Sequence, residues 1–319
     1  MKKFYDCSIN KLSNSLHNEE SFGPLENDMM IDLAKYANHH GWERIDDYQK
    51  ADLIVTNGFY TDEILEWSEK HSIAKVKRMD GIYWQTDKKH KNDIYNRAAI
   101  ESNHVIFISQ FSLKSLHKLY CFTPKKFDIV LNNVDDTIFY PIKHKNDNFT
   151  FVTSATNWIR EEKRLNCLIN FAKVIDKEDR INLIGRYDYE LPRNIIKEGY
   201  IKDQQEMNHV IANSDAFLSL FFRDAGSKVT CQGLSCNLPV LYSNTGGLKE
   251  IVKTNGYTLN DYTKIDFLDK TPELNIIEVL NKYKLFKKHH KDLINNYKKR
   301  EETYQDTLSK YFNIFKLYV

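Results

Sequence analysis

The stretch RDAGSKVTCQGLSCNLPVLYSNTGGLKEIV (residues 223–252) determines the fold that we predict for this chain. It follows the apolar run AFLSLFF (216–222) and combines a small-residue turn, a helical segment, a short apolar run and a Gly-Gly pair. Four of the 11 glycines of the chain lie in it. Small residues between a strand and a helix let a ligand approach the helix N-terminus, where free N–H groups and the helix dipole favour anions. The stretch therefore predicts two successive strand–turn–helix units, each with a turn suited to phosphate.

Similar units recur along the rest of the chain. Helical patterns such as 27–41 and 164–176 separate short apolar runs. The runs with strand character are 51–57, 74–80, 104–110, 127–133, 148–154, 180–185, 216–222 and 239–243. This alternation is typical of parallel sheets covered by helices. We therefore predict an α/β protein.

A polar segment divides these units into two groups. IKHKNDN (142–148) follows Pro141, has no apolar periodicity and indicates a linker. We expect a Rossmann-like, doubly wound domain at 1–146, a second at 147–300, and an amphipathic helix at 301–319 whose aromatic residues share one face. Two such domains facing one another would place the carboxyl ends of their strands on a shared cleft, where open α/β sheets bind ligands.

Charge and cysteine content exclude several classes of protein. The chain has 319 residues, 46 basic and 44 acidic, with a net charge of +2, which argues against a nucleic-acid partner. Its five cysteines lack CxxC spacing, so a disulfide framework or a zinc site is not expected. No apolar run approaches the ~20 residues of a membrane span. We expect a cytoplasmic protein; the basic clusters 88–91 and 287–291 suit either a solvated face or peripheral contact with an anionic membrane.

The stretch from 215 to 252 resembles the donor-binding segment of retaining glycosyltransferases of GT-B family 4. That family has a Glu, seven residues and a second Glu, followed by Gly-Leu-Pro-Val, a short strand and a Gly-Gly turn. This chain has Asp224, seven residues, Gln232, then NLPV at 237–240 and the pair Gly246-Gly247. Both acidic positions therefore depart from the pattern.

Other segments resemble the same family in the same order. They are FGPLENDMMIDLAKYA (22–37), KRMDGIYW (77–84), LNNVDDTIFYP (131–141) and FVTSATNWIREEKRL (151–165). The resemblance implies a GT-B fold, with two domains facing a central cleft and a C-terminal helix that crosses back to the first. It also implies transfer of a sugar, with retention, from a nucleotide-diphosphate sugar to a glycan or glycolipid acceptor. A UDP- or GDP-linked donor is expected, with no other cofactor.

The residue types favour a donor site without a metal. Arg160 and Lys163 follow the first strand of the second domain, and both side chains suit phosphate. No Asp-x-Asp element is present to hold a cation. The resemblance implies that Asp224 binds the sugar hydroxyls and Gln232 the ribose. The predicted donor-binding set is Gly185, Gly226, Ser227, Lys228, Val229, Gln232, Gly246 and Gly247.

The first domain supplies the predicted acceptor side, with Arg78, Asp80 and Gly23. Asp80, Asp224, Arg160 and Lys163 form the predicted catalytic set, and we assign no protein nucleophile.

Structural interpretations of the same residues stay open. Asp224 also suits an ordinary turn, Gln232 a helix surface, and the charged run 160–164 a solvated helix start. A catalytically silent GT-B binding or partner protein, motivated by the two departures, and a sugar-nucleotide epimerase are the alternative functions. A nucleic-acid-modifying transferase is disfavoured by the near-neutral charge.

Overall fold

The computed structural model describes residues 1–7, 28–143 and 146–319, and the chain divides into two compact units. The first consists of Met1–Leu131, Ile265–Asp269 and Gln305–Val319, and the second of Asn132–Lys264 and Lys270–Tyr304. Gly23, predicted on the acceptor side, lies outside the described residues.

The first unit contains a six-stranded parallel sheet in the order β2-β1-β3-β4-β5-β6. Its strands are β1 (Lys2–Asp6), β2 (Trp42–Ile45), β3 (Leu53–Thr56), β4 (Ala74–Met79), β5 (His104–Phe107) and β6 (Phe127–Ile129). Its helices are α1 (Asp28–His39), α2 (Asp62–Lys70), α3 (Lys89–Ile100), α4 (Gln110–Tyr120) and the C-terminal α10 (Tyr304–Lys316).

The second unit repeats this architecture with the order β12-β11-β10-β7-β8-β9, again parallel. Its strands are β7 (Thr150–Asn157), β8 (Arg180–Arg186), β9 (Ile195–Gly199), β10 (Ala216–Ser219), β11 (Val240–Ser243) and β12 (Gly256–Leu259). Its helices are α5 (Leu165–Val174), α6 (Gln204–Ala212), α7 (Lys228–Ser235), α8 (Leu248–Val252) and α9 (Ile276–Asn295).

The central strands of the second sheet are apolar on both faces because helices cover both. Successive residues of a strand point to opposite faces. Phe151 and Leu218 accordingly belong to one core, which also contains residues of α5 and α9, whereas Val152 and Phe217 belong to the other, which contains residues of α6, α7 and α8. Continuous apolar runs such as AFLSLFF are thus explained by burial in a parallel sheet.

The C-terminal helix α10 packs its aromatic face against the rest of the first unit. Phe312 packs against Trp42 with ring centroids 5.3 Å apart, and Phe315 packs against Phe4 at 6.1 Å. Tyr311 is buried beside them. The aromatic spacing of the sequence therefore matches the buried face of this helix.

The prediction of an α/β fold with two doubly wound parallel sheets is confirmed. Each of the eight predicted runs overlaps a strand. The strands β1, β2, β9 and β12 were not predicted; of these, β2, β9 and β12 lie at sheet edges. The expected domain limits stay a prediction.

Candidate functional site

The turn after β10 reverses the chain direction and positions the N-terminus of α7. Arg223 takes a left-handed backbone conformation with φ 52°, and its N–H donates to Thr245 Oγ1 at 2.7 Å. Asp224 Oδ1 then accepts a hydrogen bond from the N–H of Gly226 at 3.1 Å. Ser227 caps α7 by accepting from the N–H of Thr230 at 3.3 Å. Since the first N–H groups of a helix lack intrahelical partners, the turn presents the start of α7 as an anion-favouring surface.

The Gly-Gly turn after β11 packs directly on this first turn. A side chain at Gly246 would collide with the backbone of Asp224. The N–H of Gly247 donates to the Asp224 carbonyl at 2.8 Å. The strands β10 and β11 are neighbours, so the two turns meet at one sheet edge. In this structure the Gly-Gly pair allows its backbone to pack against the backbone of Asp224. Its role in donor binding stays a prediction.

Lys163 is brought to the Asp224 turn. It ends a short 3-10 turn, Glu161–Lys163, after β7. Its Nζ lies 3.8 Å from Asp224 Oδ2 and 4.5 Å from the centroid of the Phe221 ring. Both charged side chains are about one fifth exposed, at 20% for Lys163 and 18% for Asp224. The arrangement combines one cation, one carboxylate and a helix start.

Arg160 has a different environment. Its side chain is half exposed, and its guanidinium forms an ion pair with Glu162. An anion that recruits Arg160 must therefore compete with this carboxylate.

Arg164 was interpreted as part of a solvated helix start, and that interpretation is wrong. The residue is buried and takes a left-handed conformation with φ 54° immediately before α5. Its guanidinium forms an ion pair with the buried Asp261 and donates to Ser243 Oγ at 3.1 Å and to the Pro272 carbonyl at 2.7 Å. Arg164 thus ties the Lys163 loop to the end of β11. No local signal in the sequence indicates this pair, which is separated by 97 residues.

Gln232 lies on α7 and is only 7% exposed, so it is not a surface glutamine. Its side-chain oxygen is buried without a hydrogen-bond partner among the described residues, as is the hydroxyl of Thr230 on the same helix. An unpaired buried polar atom costs about 1–3 kcal/mol and requires an explanation, such as a ligand or an ordered water. The predicted contacts Lys228 and Val229 begin the same helix and are half-buried.

Gly185 occupies the end of β8 with φ 129°. A side chain there would collide with the carbonyl of Ala155, and the indole of Trp158 donates to the neighbouring Ile184 carbonyl at 2.9 Å. Close packing of β7 against β8 therefore explains this glycine without a ligand.

A further anchor of the α7 start was missed in the sequence. Asn132 donates to the carbonyl of Gly226, and Arg300 donates to the carbonyl of Asn132 at 2.8 Å and to Asn133 Oδ1 at 3.1 Å. The segment that resembles the family at 131–141 is thereby joined to the α7 turn.

The first unit holds Arg78 and Asp80 at the end of β4. Arg78 is buried, donates from Nε to Tyr311 OH at 3.1 Å and forms an ion pair with the exposed carboxylate of Asp80. The neighbouring Lys77 is fully buried and donates to the carbonyls of Asn57 and Arg78 at 2.9 and 3.1 Å. Burial lowers the pKa of Lys77 to about 7. The exposed group of this ion pair is the Asp80 carboxylate, whereas the Arg78 guanidinium stays buried beneath it.

Two negative findings concern the described residues only. Within 1–7, 28–143 and 146–319, no group of three or more His, Cys, Asp or Glu side chains is placed to hold a metal ion. Across the same ranges, no helix has both the length and the apolar character needed to cross a bilayer.

Comparison with known proteins gives matches in structure alone. No protein-family model matches the chain, and no curated protein matches its sequence. Sucrose-phosphate synthase from Thermosynechococcus elongatus superposes with a TM-score of 0.73 at 10% identity, covering 99% of both chains. A glycosyltransferase from Rickettsia africae gives 0.68 at 14% identity, over 99% of this chain and 98% of its own. Anabaena HepE in complex with UDP and glucose gives 0.68 at 13%, over 99% of both. Together with the two six-stranded parallel sheets, these similarities show that the chain has the GT-B fold of glycosyltransferases.

Proposed function

We propose that the protein is a glycosyltransferase that moves a sugar from a nucleotide-diphosphate sugar to a glycan or glycolipid acceptor, with retention and without a metal ion. The observation that carries the proposal is the cluster of Lys163, Asp224 and the α7 start on the second sheet. It stands at the carboxyl ends of adjacent strands, where open α/β sheets bind ligands. HepE, which shares the fold, was crystallised with UDP-glucose, so UDP is the first donor base to test, ahead of GDP.

The chemistry follows from what each group offers a diphosphate. A departing nucleoside diphosphate gathers negative charge, and fixed cations and helix amides stabilise such charge when they are already in place. We assign this role to Lys163 and to the N–H groups at the start of α7, with Gly226 and Ser227 forming the turn. Arg160 joins when the anion displaces Glu162. These groups supply positive charge without a metal ion, which supports the metal-independent assignment.

The remaining contacts orient the donor. Asp224 accepts hydrogen bonds from the sugar hydroxyls, and Gln232 pairs with the ribose through its side-chain oxygen, which has no partner among the described residues. The acceptor attacks on the face from which the diphosphate leaves, and the departing phosphate takes the acceptor proton. The new bond forms on that same face, so the configuration is retained without a protein nucleophile. We place Arg78 and Asp80 on the acceptor side.

A glycolipid acceptor would bring the enzyme to a membrane surface from the cytoplasm. The basic cluster at 88–91 suits an anionic surface better than the cluster at 287–291. In the latter, Lys287 is already bonded to Asp176 and Asp179 at 2.7 and 2.9 Å.

One observation favours a second candidate, a silent GT-B binding or partner protein. Asp224 replaces the longer Glu of the family and is held by its own turn, and Gln232 lacks the charge of a Glu. The shorter side chain of Asp224 reaches less far toward a donor, and the neutral amide of Gln232 loses charge-assisted bonding.

Thermal-shift measurements distinguish the transferase from the silent partner. They use UDP, GDP, ADP, CMP and their sugars, with and without EDTA. Ligand at ~100 times its dissociation constant adds about 2.7 kcal/mol of stability. We expect a shift with one nucleotide, unchanged by EDTA and lost in Lys163→Met, whereas Lys173→Met, on the exposed face of α5, keeps it. If no nucleotide shifts the wild-type protein, the silent partner replaces the transferase.

A further inference from the structure

The carboxylate of Asp224 already occupies donors that suit an anion. Its Oδ1 accepts from the N–H of Gly226 at 3.1 Å, and its Oδ2 lies 3.8 Å from Lys163 Nζ. A diphosphate bound at the same turn meets a carboxylate that competes for the same amide and the same cation.

The length of the side chain fixes this arrangement. An aspartate accepts readily from the N–H two residues ahead, in an Asx turn, whereas the extra methylene of glutamate disfavours that ring. The backbone of Asp224 is held as well, because its carbonyl accepts from the N–H of Gly247 and its backbone lies against Gly246. The replacement of Glu by Asp thus holds the carboxylate against the Gly226 N–H at the start of α7.

A charge at this place affects two ligands differently. The terminal phosphate of a free nucleoside diphosphate carries about one charge more than the same phosphate esterified to a sugar. One added charge ~5 Å from a carboxylate, at an effective dielectric constant of ~20, changes a dissociation constant by on the order of 100-fold, and solvent screening reduces this to roughly tenfold. The sugar also offers hydroxyls that donate to the carboxylate, which the free diphosphate lacks.

We propose that Asp224 is a specificity-determining residue that makes the second unit bind the intact nucleotide-diphosphate sugar in preference to the nucleoside diphosphate left after transfer. The inference rests on the proposed function. Its consequence is that the residue promotes product release, because the carboxylate regains Gly226 and Lys163 once the sugar has left.

The test compares dissociation constants by titration calorimetry, with EDTA present and no acceptor. UDP and UDP-glucose are titrated into the full-length wild type and into Asp224→Asn, which keeps the turn because an asparagine oxygen accepts from the same N–H. If the thermal-shift panel selects GDP, then GDP and GDP-mannose replace them. The matched control is Asp203→Asn, which changes a carboxylate at the start of α6, where Asp203 accepts from the Glu206 N–H at 2.8 Å.

We expect Asp224→Asn to tighten UDP binding about tenfold and to leave UDP-glucose binding equal or weaker, so that the preference for the sugar nucleotide falls at least tenfold. Asp203→Asn keeps the wild-type ratio. If the wild type binds both UDP and UDP-glucose, and Asp224→Asn leaves the ratio of their dissociation constants unchanged, this inference alone is overturned. A wild type that binds no nucleotide overturns the proposed function and this inference with it.

Discussion

The buried ion pair of Arg164 and Asp261 gives the sharpest prediction for stability. Their side chains are only 2% and 3% exposed, and Arg164 also donates to Ser243 and Pro272. Replacing Arg164 by Met keeps an apolar stem but leaves the Asp261 carboxylate buried, with Ser243 and the Tyr262 N–H as its remaining partners among the described residues. Breaking one side of a buried pair costs about 3–5 kcal/mol, so we expect Arg164→Met to lower the free energy of unfolding by that amount.

Urea unfolding measures the loss in free energy of unfolding. Because two units need not unfold in one step, hydrogen exchange of peptides within 150–174 assigns this loss to the second unit. The double variant Arg164→Met, Asp261→Asn should lose less than the sum of the single variants, since no charge is then left unpaired. Lys35→Met is the matched control, because the Lys35–Asp32 pair is exposed and worth at most about 1 kcal/mol. A loss below about 1 kcal/mol for Arg164→Met refutes the reasoning, because the pair would then behave like a surface pair.

Two further predictions follow from unsatisfied or neutralised polar groups. Gln232→Leu removes a buried oxygen that has no partner among the described residues. We therefore expect the free energy of unfolding to stay within about 1 kcal/mol of wild type, while nucleotide affinity falls about tenfold. Equal losses of stability and of affinity would assign Gln232 a structural role. Burial lowers the pKa of Lys77 from 10.5 to about 7 in the folded protein. Between pH 7 and pH 10.5 the unfolded chain therefore binds more protons than the folded one, and the free energy of unfolding rises with pH. Lys77→Met should flatten this rise between pH 7.5 and 9.5 in urea titrations, and an unchanged slope would contradict the assignment.

The sequence predicted the central strands other than β1, because burial on two faces produces apolar runs. It missed three of the four edge strands, β2, β9 and β12, because an edge buries little. In β9 (Ile195–Gly199) only Ile195 is buried, and β12 (Gly256–Leu259) buries only Leu259. The strand β1 was missed for another reason, since Lys2 and Lys3 lie at its exposed start and conceal the buried Phe4 and Tyr5.

Local sequence also could not predict how charged side chains choose partners. Arg160 and Arg164 flank the same short turn, yet one pairs with its neighbour Glu162 at the surface and the other with Asp261 in the interior. Burial decides between them, and burial depends on the left-handed conformation of Arg164, which turns its side chain toward β11. A partner 97 residues away is determined by the tertiary fold, not by the spacing of charges.

Two of the glycines predicted to bind the donor, one of them in the opening stretch, have a structural explanation of their own. Gly185 and Gly246 are required because another backbone passes too close for a side chain, at Ala155 and at Asp224 respectively. These positions therefore argue for the fold, whatever the site binds. The case for a ligand rests instead on groups that folding alone does not explain. A cation and a carboxylate share a partly exposed edge, and the side-chain oxygen of Gln232 on α7 is buried without a partner among the described residues. An apolar side chain at position 232 would avoid the cost of that unpaired oxygen, so the stability and the nucleotide affinity of Gln232→Leu decide whether the oxygen serves a ligand.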